Sequence, residues 1–564
     1  MKHLLPYRPE VIIQKCITKY KFNMTLKHLK FAFYASLTIT LAGCGSTNLV
    51  LTPLEKIDAV PLKVSELTDE ENKSWGHADL ISDTIPGISL NKAYADIIKN
   101  KKGKKVIVAV LDAGIDLDHE DLDDILWTNK GERPGNGVDD DNNGYIDDIH
   151  GYNFLGEAYN EQMEYVRILR LNKGDRFVQE KAKLELQKEI TEYTQNKQQY
   201  EQILSVVKNA DNAIKKHLGK DSYTKKDVIA IKTEDPQLAQ NVSVIKQMYS
   251  ISDNIPDVIK EFTEGITYFT ERLNYHFNKD FDGRKIVGDD PYDLMDLGYG
   301  DGNPKNRVKD ESHGTHVAGI IAAERNNGLG VNGVANNVEI MSIRAVPNGD
   351  EYDKDIALGI RYAVDNGAKI INASFGKSYS LNSDWVYDAL KYAAENDVLF
   401  VHGSGNDGLD MDDPNNLGYP NDHDGKGEIE FVDNFIAVGA LTKEYGSEMV
   451  ASYSNYGKAN VDVFAPGSRI YSTMPENNYE FQDGTSMAAP MVSGIAALIW
   501  SYYPKLKAAD VKRILIESGL SSNASVVLSG DAAKSKPFDQ VSKSGKMVNA
   551  YNALIMASNM SKSL

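Results

Sequence analysis

Cysteine is nearly absent from this chain of 564 residues, and its two cysteines, Cys16 and Cys44, both lie near the N-terminus. No disulfide can therefore staple the body of the folded protein, and no thiol can act there as a nucleophile. Basic residues are also scarce, with 62 Lys and Arg against 81 Asp and Glu and a formal net charge of −19. This balance argues against nucleic acid as a partner, because nucleic-acid binders need a basic surface. It suits a soluble surface and cation sites.

The N-terminus holds no apolar run long enough to cross a bilayer. The segment Phe31–Leu41 is uncharged but too short for a membrane span. It follows the basic stretch Lys27–Lys30 and precedes the small-residue sequence Leu41-Ala42-Gly43-Cys44. This order is typical of an export signal, and residues 1–44 are predicted to be one.

The ending Leu41-Ala42-Gly43-Cys44 resembles the lipobox of bacterial lipoproteins. The resemblance implies that Cys44 is acylated and anchors the exported protein to a bacterial membrane, in the periplasm or at the cell surface. The alternative is a free, buried Cys44 in an ordinary signal peptide. Met24 stands where such a signal should begin, so residues 1–23 are interpreted as a misassigned start. The polar residues 45–74 are predicted to be a tether.

A continuous apolar run, Val106–Leu111, predicts a strand buried on both faces. Asp112 follows it directly, and catalytic groups in open α/β sheets gather at the carboxyl ends of strands. A carboxylate there can orient a histidine and stabilise its charged form. The alternative is an aspartate that caps the loop after the strand.

The segment Ser312–Ala323 is predicted to be a loop that enters a small-residue helix. His313 lies just before this helix and is suited to general-base catalysis, because an imidazole titrates near neutral pH. His316 falls inside the packed first turn. The alternative, a zinc site shared by the two histidines, lacks a third ligand at a familiar spacing.

A glycine-led turn, Gly484–Pro490, carries Ser486 into an apolar run that is predicted to be a buried helix. A serine in the first turn faces unpaired backbone N–H groups and the positive end of the helix dipole. Such a position favours negative charge on an oxygen beside the serine. The alternative is a simple N-cap serine.

Three segments together resemble the signatures of the subtilisin-like (S8 family) serine peptidases, in the order Asp, His, Ser. They are Asp112–Asp116, His313–Gly319 and Gly484–Pro490. The resemblance implies that Ser486 is the nucleophile, His313 the general base and then acid, and Asp112 the orienting carboxylate. Ala113 departs from the pattern, since the family usually has Ser or Thr there, and a hydroxyl that could hydrogen-bond the carboxylate is missing.

Two further segments fit the same family. Asn406 corresponds to the family's oxyanion asparagine, with a turn asparagine as the alternative. The resemblance places the substrate pocket between Ser374-Phe375-Gly376 and Gly403-Ser404-Gly405, where small residues favour a large apolar side chain at P1. The backbone of the first segment would pair with an extended peptide by strand addition.

Strands that alternate with helices predict a mainly parallel, three-layer α/β/α domain. By the resemblance, residues 75–156 and 281–564 form a subtilisin-like peptidase domain. Apolar residues at helical spacing within 157–280 predict a helical hairpin or small bundle inserted into it. The insertion is interpreted either as a packed decoration or as an element that gates the cleft or docks a partner.

Two acidic loops are candidate calcium sites. Asp139, Asp141, Asn143 and Asp147 supply oxygens at positions 1, 3, 5 and 9 of a calcium loop, but His150 stands at position 12, so it is no complete EF-hand. The alternative is a solvated acidic turn. By resemblance to the family, Asp121 and Asn327 form a second calcium site beside the catalytic helix.

The sequence thus predicts an exported, lipid-anchored, monomeric serine endopeptidase that acts on proteins or peptides through an acyl-enzyme. Catalysis would need no cofactor, and calcium would be structural. The competing hypothesis is a catalytically silent, subtilisin-like lipoprotein that binds peptides. An ester hydrolase is a third hypothesis, which an extended peptide cleft fits poorly.

Overall fold

The computed structural model describes residues 54–563, except for 56, 61–62, 64 and 424–428. The predicted export signal, its lipidation site Cys44 and the first part of the predicted tether lie outside these residues. Within the described part, no helix is both long enough and apolar enough to cross a bilayer.

A nine-stranded sheet forms the centre of the molecule, in the order β10-β13-β7-β6-β5-β4-β1-β3-β2. All neighbouring pairs are parallel except β10 with β13. The central strands are buried along most of their length, as their continuous apolar runs require. Two antiparallel pairs, β8 with β9 and β11 with β12, lie outside this sheet. The strands are β1 Val106–Asp112, β2 Gly151–Asn153, β3 Val338–Arg344, β4 Ile370–Ala373, β5 Leu399–Gly403, β6 Phe435–Leu441, β7 Val463–Pro466, β8 Ile470–Met474, β9 Asn478–Gln482, β10 Leu520–Ser521, β11 Ser525–Leu528, β12 Asp531–Pro537 and β13 Lys546–Met547.

Helices cover both faces of the sheet and make the three layers that the sequence predicts. The α-helices are α1 Asp69–Ser74, α2 Leu90–Ala93, α3 Glu164–Leu171, α4 Arg176–Leu218, α5 Lys225–Ala230, α6 Pro236–Met248, α7 Ile255–Glu271, α8 His313–Ala322, α9 Asp353–Asp365, α10 Ser383–Glu395, α11 Thr485–Tyr502, α12 Ala508–Glu517 and α13 Ala550–Ser561. Helices α8 and α11 pack on each other and on the sheet, while α9 and α10 form a second packed pair against it. The predicted three-layer α/β/α architecture is therefore present.

The predicted insertion, residues 157–280, contains helices α3 to α7. Helix α4 is the longest, and its 43 residues correspond to roughly 64 Å at the rise of an α-helix. Helices α6 and α7 pack along it, and the three share an apolar core with members such as Ile214, Ile245 and Val258. A second cluster, which includes Leu186, Phe277 and Tyr379, joins the base of the insertion to the peptidase body.

The described part of the predicted tether, residues 54–74, lies against the body. Ile57 is buried in a core cluster with Leu80 and Phe464. The Asp58 carboxylate accepts hydrogen bonds from Tyr445, at 2.6 Å, and from Ser522, at 2.9 Å. This part of the segment is therefore docked rather than a free tether, because Ile57 is buried and Asp58 is hydrogen-bonded to residues far along the chain.

Candidate active site

Strand β1 delivers Asp112 to the carboxyl edge of the sheet. The residue is 1% exposed, and its Oδ1 accepts a hydrogen bond of 2.7 Å from the backbone N–H of Ala113. A buried carboxylate needs such donors, because burial of an unpaired charge is costly. The backbone thus fixes the carboxylate with no help from the side chain at 113.

Helix α8 begins at His313, and its imidazole meets this carboxylate. Nδ1 lies 2.8 Å from Oδ1 and 3.0 Å from Oδ2 of Asp112. The approach depends on Gly314, since a Cβ there would lie 2.3 Å from the carbonyl oxygen of Gly114. Nε2, the other ring nitrogen, is therefore the one available for proton transfer.

The protonation of His313 is set by two opposing effects. Burial disfavours the imidazolium, but the charge of Asp112 and its hydrogen bond outweigh burial and raise the pKa of His313 above its ordinary value. His316 differs, because burial lowers its pKa to about 3 and its Nε2 lies 3.2 Å from the carbonyl oxygen of Glu480. Neither histidine belongs to a metal-type cluster in the described residues, so the zinc alternative gains no support.

Helix α11 carries Ser486 in its first turn, as the apolar run after Gly484 predicts. Its hydroxyl donates to the carbonyl oxygen of Ser374 at 3.1 Å, and the Ser374 hydroxyl donates to the carbonyl oxygen of Ser486 at 2.9 Å. These reciprocal bonds tie the helix start to the end of β4. The structure brings Ser486 and His313 to one cavity, and the Ser486 hydroxyl must leave its hydrogen bond with Ser374 to donate to the imidazole.

Asn406 lies just beyond β5, beside the start of α11. Its Oδ1 accepts from the backbone N–H of Thr485, at 2.9 Å, and from the Thr485 hydroxyl, at 3.1 Å. Because the oxygen is held in this way, the Nδ2 group is the end that can donate to another molecule. Together with the first-turn N–H of Ser486, it can stabilise an oxyanion.

The predicted catalytic residues line one open cleft of about 760 Å³. Both predicted pocket segments, Ser374-Phe375-Gly376 and Gly403-Ser404-Gly405, line the same cleft. The N–H and C=O groups of Gly376 and the N–H of Gly349 have no hydrogen-bond partner in the described chain. An extended peptide could therefore pair with the backbone here.

This site fits the model of the subtilase family, which the chain matches over residues 103–536. The match covers most of the chain and includes every member of the predicted catalytic set. The chain belongs to the subtilase family.

Three curated relatives show how far the likeness extends. The cell wall-associated protease of Bacillus subtilis (strain 168) is 40% identical over 222 residues, which are 39% of this subtilase and 22% of that protein. The thermophilic serine proteinase of Bacillus sp. (strain AK1) is 39% identical over 39% of this chain and 48% of its own. Subtilisin DY of Bacillus licheniformis is 39% identical over 36% and 68%. The chain thus spans less than half of the first two proteins.

The two predicted calcium sites of this subtilase differ in how well their oxygen atoms could bind a cation. Carboxylate oxygens of Glu132, Asp139 and Asp141 lie within 4.8 Å of one another, and Glu132 Oε2 is buried without a hydrogen-bond partner. Asn143 contacts Asp139 and Asp141 through its backbone N–H. Asp147 is directed elsewhere, because its oxygens accept from the backbone N–H groups of residues 136 and 137. The candidate cation cluster therefore includes Glu132, which lies outside the predicted calcium loop that begins at Asp139.

At the second predicted calcium site, Asp121 and Asn327 do lie together. The Asn327 amide donates to Asp121 Oδ1 at 2.7 Å, and the backbone N–H of Val331 donates to Oδ2 at 3.0 Å. Both carboxylate oxygens thus already accept hydrogen bonds from the protein. The Glu132 cluster is the better candidate cation site.

The structure adds residues to the cleft that the sequence does not identify. Lys181, Glu185 and Arg272 of the insertion line it, together with His402. His402 is buried under the pocket, where its Nε2 lies 2.7 Å from the carbonyl oxygen of Phe375 and burial lowers its pKa to about 4. The sequence gives one indication that His402 lies at the cleft, which is its position directly before Gly403 of the predicted pocket. It gives no such indication for Lys181, Glu185 or Arg272.

Proposed function

We propose that the protein is a serine endopeptidase that hydrolyses peptide bonds of proteins or peptides. The observation that carries the proposal is the hydrogen bond between Asp112 and His313 Nδ1, in the cleft that Ser486 and Asn406 also line. A carboxylate that orients an imidazole beside a helix-terminal serine is the arrangement that acyl transfer needs. Membership of the subtilase family supports the same reaction.

In the proposed reaction, Ser486 Oγ attacks the scissile carbonyl carbon while His313 Nε2 takes its proton. The tetrahedral oxyanion accepts hydrogen bonds from Asn406 Nδ2 and from the backbone N–H of Ser486. The imidazolium, stabilised by Asp112, then protonates the departing amine. Water hydrolyses the acyl-enzyme with His313 again as the base, and the acid product leaves. No cofactor takes part in these steps.

The substrate is proposed to bind as an extended strand between Gly349 and Gly376, whose backbone groups are free in the described chain. Main-chain pairing gives affinity with little demand on sequence. The small residues Gly403-Ser404-Gly405 support a large apolar side chain at P1. Cleavage of a peptide library, followed by mass spectrometry, measures this preference.

The catalytic proposal is tested with a fluorophosphonate probe, which forms a covalent bond with an activated serine. We expect labelling of the wild type and none of Ser486→Ala. Ser222→Ala, which removes an exposed serine of the insertion, is the matched control and should be labelled like the wild type. If the folded wild type is not labelled, the competing proposal, a silent peptide-binding subtilase, is favoured.

We propose a structural calcium ion at Glu132, Asp139 and Asp141. Glu132 Oε2 is a buried oxygen without a donor, and oxygen ligands are those that calcium prefers. Chelation should lower the midpoint of thermal unfolding, and Glu132→Gln should remove most of this response. An equal response in wild type and variant would contradict this site.

We propose that Cys44 carries lipid and anchors the protein to a bacterial membrane, as the Leu41-Ala42-Gly43-Cys44 motif supports. Wild-type protein expressed in bacteria should partition into detergent, and Cys44→Ala into the aqueous phase. N-terminal peptide mapping would also reveal whether residues 1–23 are translated.

A further inference from the structure

Both arms of the helical insertion reach the substrate cleft. Lys181 and Glu185, near the start of helix α4, line it on one side, and Arg272, just beyond the end of helix α7, lines it as well. Lys181 Nζ donates to the carbonyl oxygen of Asn415 at 3.3 Å. Tyr379 donates to Glu185 Oε2 at 2.6 Å. The insertion is thus fastened to the loops that border the cleft.

These contacts place the start of α4 against residues that border the cleft, among them Tyr379, which follows the pocket segment Ser374-Phe375-Gly376. The segment that begins at Ser374 is free to pair with a substrate only as far as Gly376, because Lys377 already pairs with Tyr419 through bonds of 3.0 and 2.9 Å. Tyr379, which contacts α4, follows Ser374 by five residues with a bend at Ser378, so the two lie at most about 16 Å apart. A substrate strand that pairs antiparallel with Ser374–Gly376 would therefore meet the insertion about three to five residues from the scissile bond, on its amino-terminal side.

Neither cation of this wall forms an ion pair in the described part of the chain. The half-buried Arg272 guanidinium donates to no oxygen and has no ion pair in the described chain; its contacts are Met163 Sδ, at 3.9 Å, and the ring of Tyr268, at 5.0 Å. Lys181 also has no ion pair there and lies 5.2 Å from the centroid of the Tyr379 ring. An Arg with free donors suits a carboxylate, which it can bind in a bidentate manner.

Acidic groups also line the cleft, but none of them forms an ion pair with Arg272 in the described residues. Glu185 follows Lys181 by one helical turn, so these two charges partly offset each other. Asp310 also lines the cleft, but it is exposed and therefore screened by solvent and salt. Glu271 precedes Arg272 in sequence and interacts with it electrostatically, but the two form no ion pair.

We propose that the insertion forms the end wall of the substrate cleft and that Arg272, assisted by Lys181, is a subsite for an acidic side chain. The subsite would bind Asp or Glu about three to five residues amino-terminal to the scissile bond. This subsite rests on the proposed peptidase function, but peptide binding can be measured without catalysis. Arg272 and Lys181 determine specificity in this scheme and take no part in the chemical steps.

The test is equilibrium binding to the full-length Ser486→Ala protein, followed by fluorescence anisotropy of labelled peptides. Extended peptides carry Glu, Gln or Lys in turn at the second to fifth residue amino-terminal to the scissile bond. Glu should bind about tenfold more tightly than Gln at one position from the third to the fifth, because one hydrogen-bonded charge pair is about this strong. Arg272→Gln should abolish this preference, and salt should weaken it.

Two variants keep the result interpretable. Lys181→Gln replaces an exposed side chain, should leave the insertion folded, and should reduce the preference for Glu. Lys183→Gln, on the same helix but outside the cleft, should leave it unchanged. Equal binding of all peptides, tighter binding of Lys, failure of every peptide to bind, or a preference that survives loss of both cations would overturn the subsite. Fluorophosphonate labelling of the wild type tests Ser486 separately, so the two proposals can fail independently.

Discussion

Thr485 offers a sharp test of how the oxyanion donor is positioned. Its hydroxyl donates to Asn406 Oδ1 at 3.1 Å and accepts from the backbone N–H of Gly405 at 3.2 Å. The residue is 2% exposed, so water cannot replace either bond. Thr485→Val keeps the shape of the side chain and removes both hydrogen bonds, and it leaves Asn406 held only by the backbone N–H of residue 485.

The size of the effect follows from the bonds lost. Each neutral hydrogen bond contributes about 0.5–1.5 kcal/mol net. If the whole free energy of the two bonds stabilises the transition state, their loss corresponds to about a 5- to 150-fold decrease in turnover. The surviving backbone bond to Asn406 places the expected loss near tenfold. Removal of an oxyanion donor typically costs about 10²–10³, so Asn406→Ala should be more severe. KM should change little, because the oxyanion exists only after attack.

The assay is steady-state hydrolysis of a chromogenic peptide, with kcat and KM measured separately. Thr485→Ser retains the hydroxyl and should behave like the wild type. Thermal unfolding of each variant separates a local effect from loss of fold. Wild-type kcat in a folded Thr485→Val protein would refute the idea that the hydroxyl positions Asn406, and a large rise in KM alone would point to ground-state binding instead.

Three further perturbations test the buried charges and the packing. Asp112→Asn should lower the pKa of His313, move the acid limb of kcat/KM to lower pH and reduce kcat by about 10⁴. Burial raises the pKa of Glu351 to about 8, so the native state binds this proton more tightly than the unfolded state does. The protein therefore loses stability as pH rises from about 4.5 toward 8. The difference between the midpoints of thermal unfolding at pH 5 and pH 8 should be smaller in Glu351→Gln than in the wild type. Gly314→Ala would place a Cβ 2.3 Å from the Gly114 carbonyl oxygen, and a scan of thermal unfolding should show a lower midpoint with little activity.

The sequence predicts the sheet well because its strands are buried on both faces. The apolar run Val106–Leu111 has no helical periodicity, and the observed strand ends one residue later, at Asp112. His313 was expected just before a helix and is the first residue of α8. These local signals are strong because each one depends on neighbours in sequence.

Contacts between distant segments have no such signal. Ile57 is buried against residues that follow it by hundreds of positions, and its segment is too polar in composition to predict docking. Lys181 and Arg272 face the cleft because helix packing brings both arms of the insertion to it. Helical periodicity predicts the helices themselves, but it cannot say which structure their exposed residues adjoin. The sequence therefore left open whether the insertion is a packed decoration or an element that gates the cleft or docks a partner.

Ala113 shows why the effect of a single departure from a family's sequence pattern has to be judged from the structure. From the sequence, loss of the usual hydroxyl should weaken the positioning of Asp112 by one hydrogen bond. In the structure, the backbone N–H of Ala113 donates to Asp112 Oδ1 at 2.7 Å, and His313 Nδ1 lies 2.8 Å from the same oxygen. Because the backbone donor is independent of the side chain, any residue other than proline at 113 preserves it. The departure therefore leaves the orientation of the carboxylate, and with it the proposed catalytic geometry, intact.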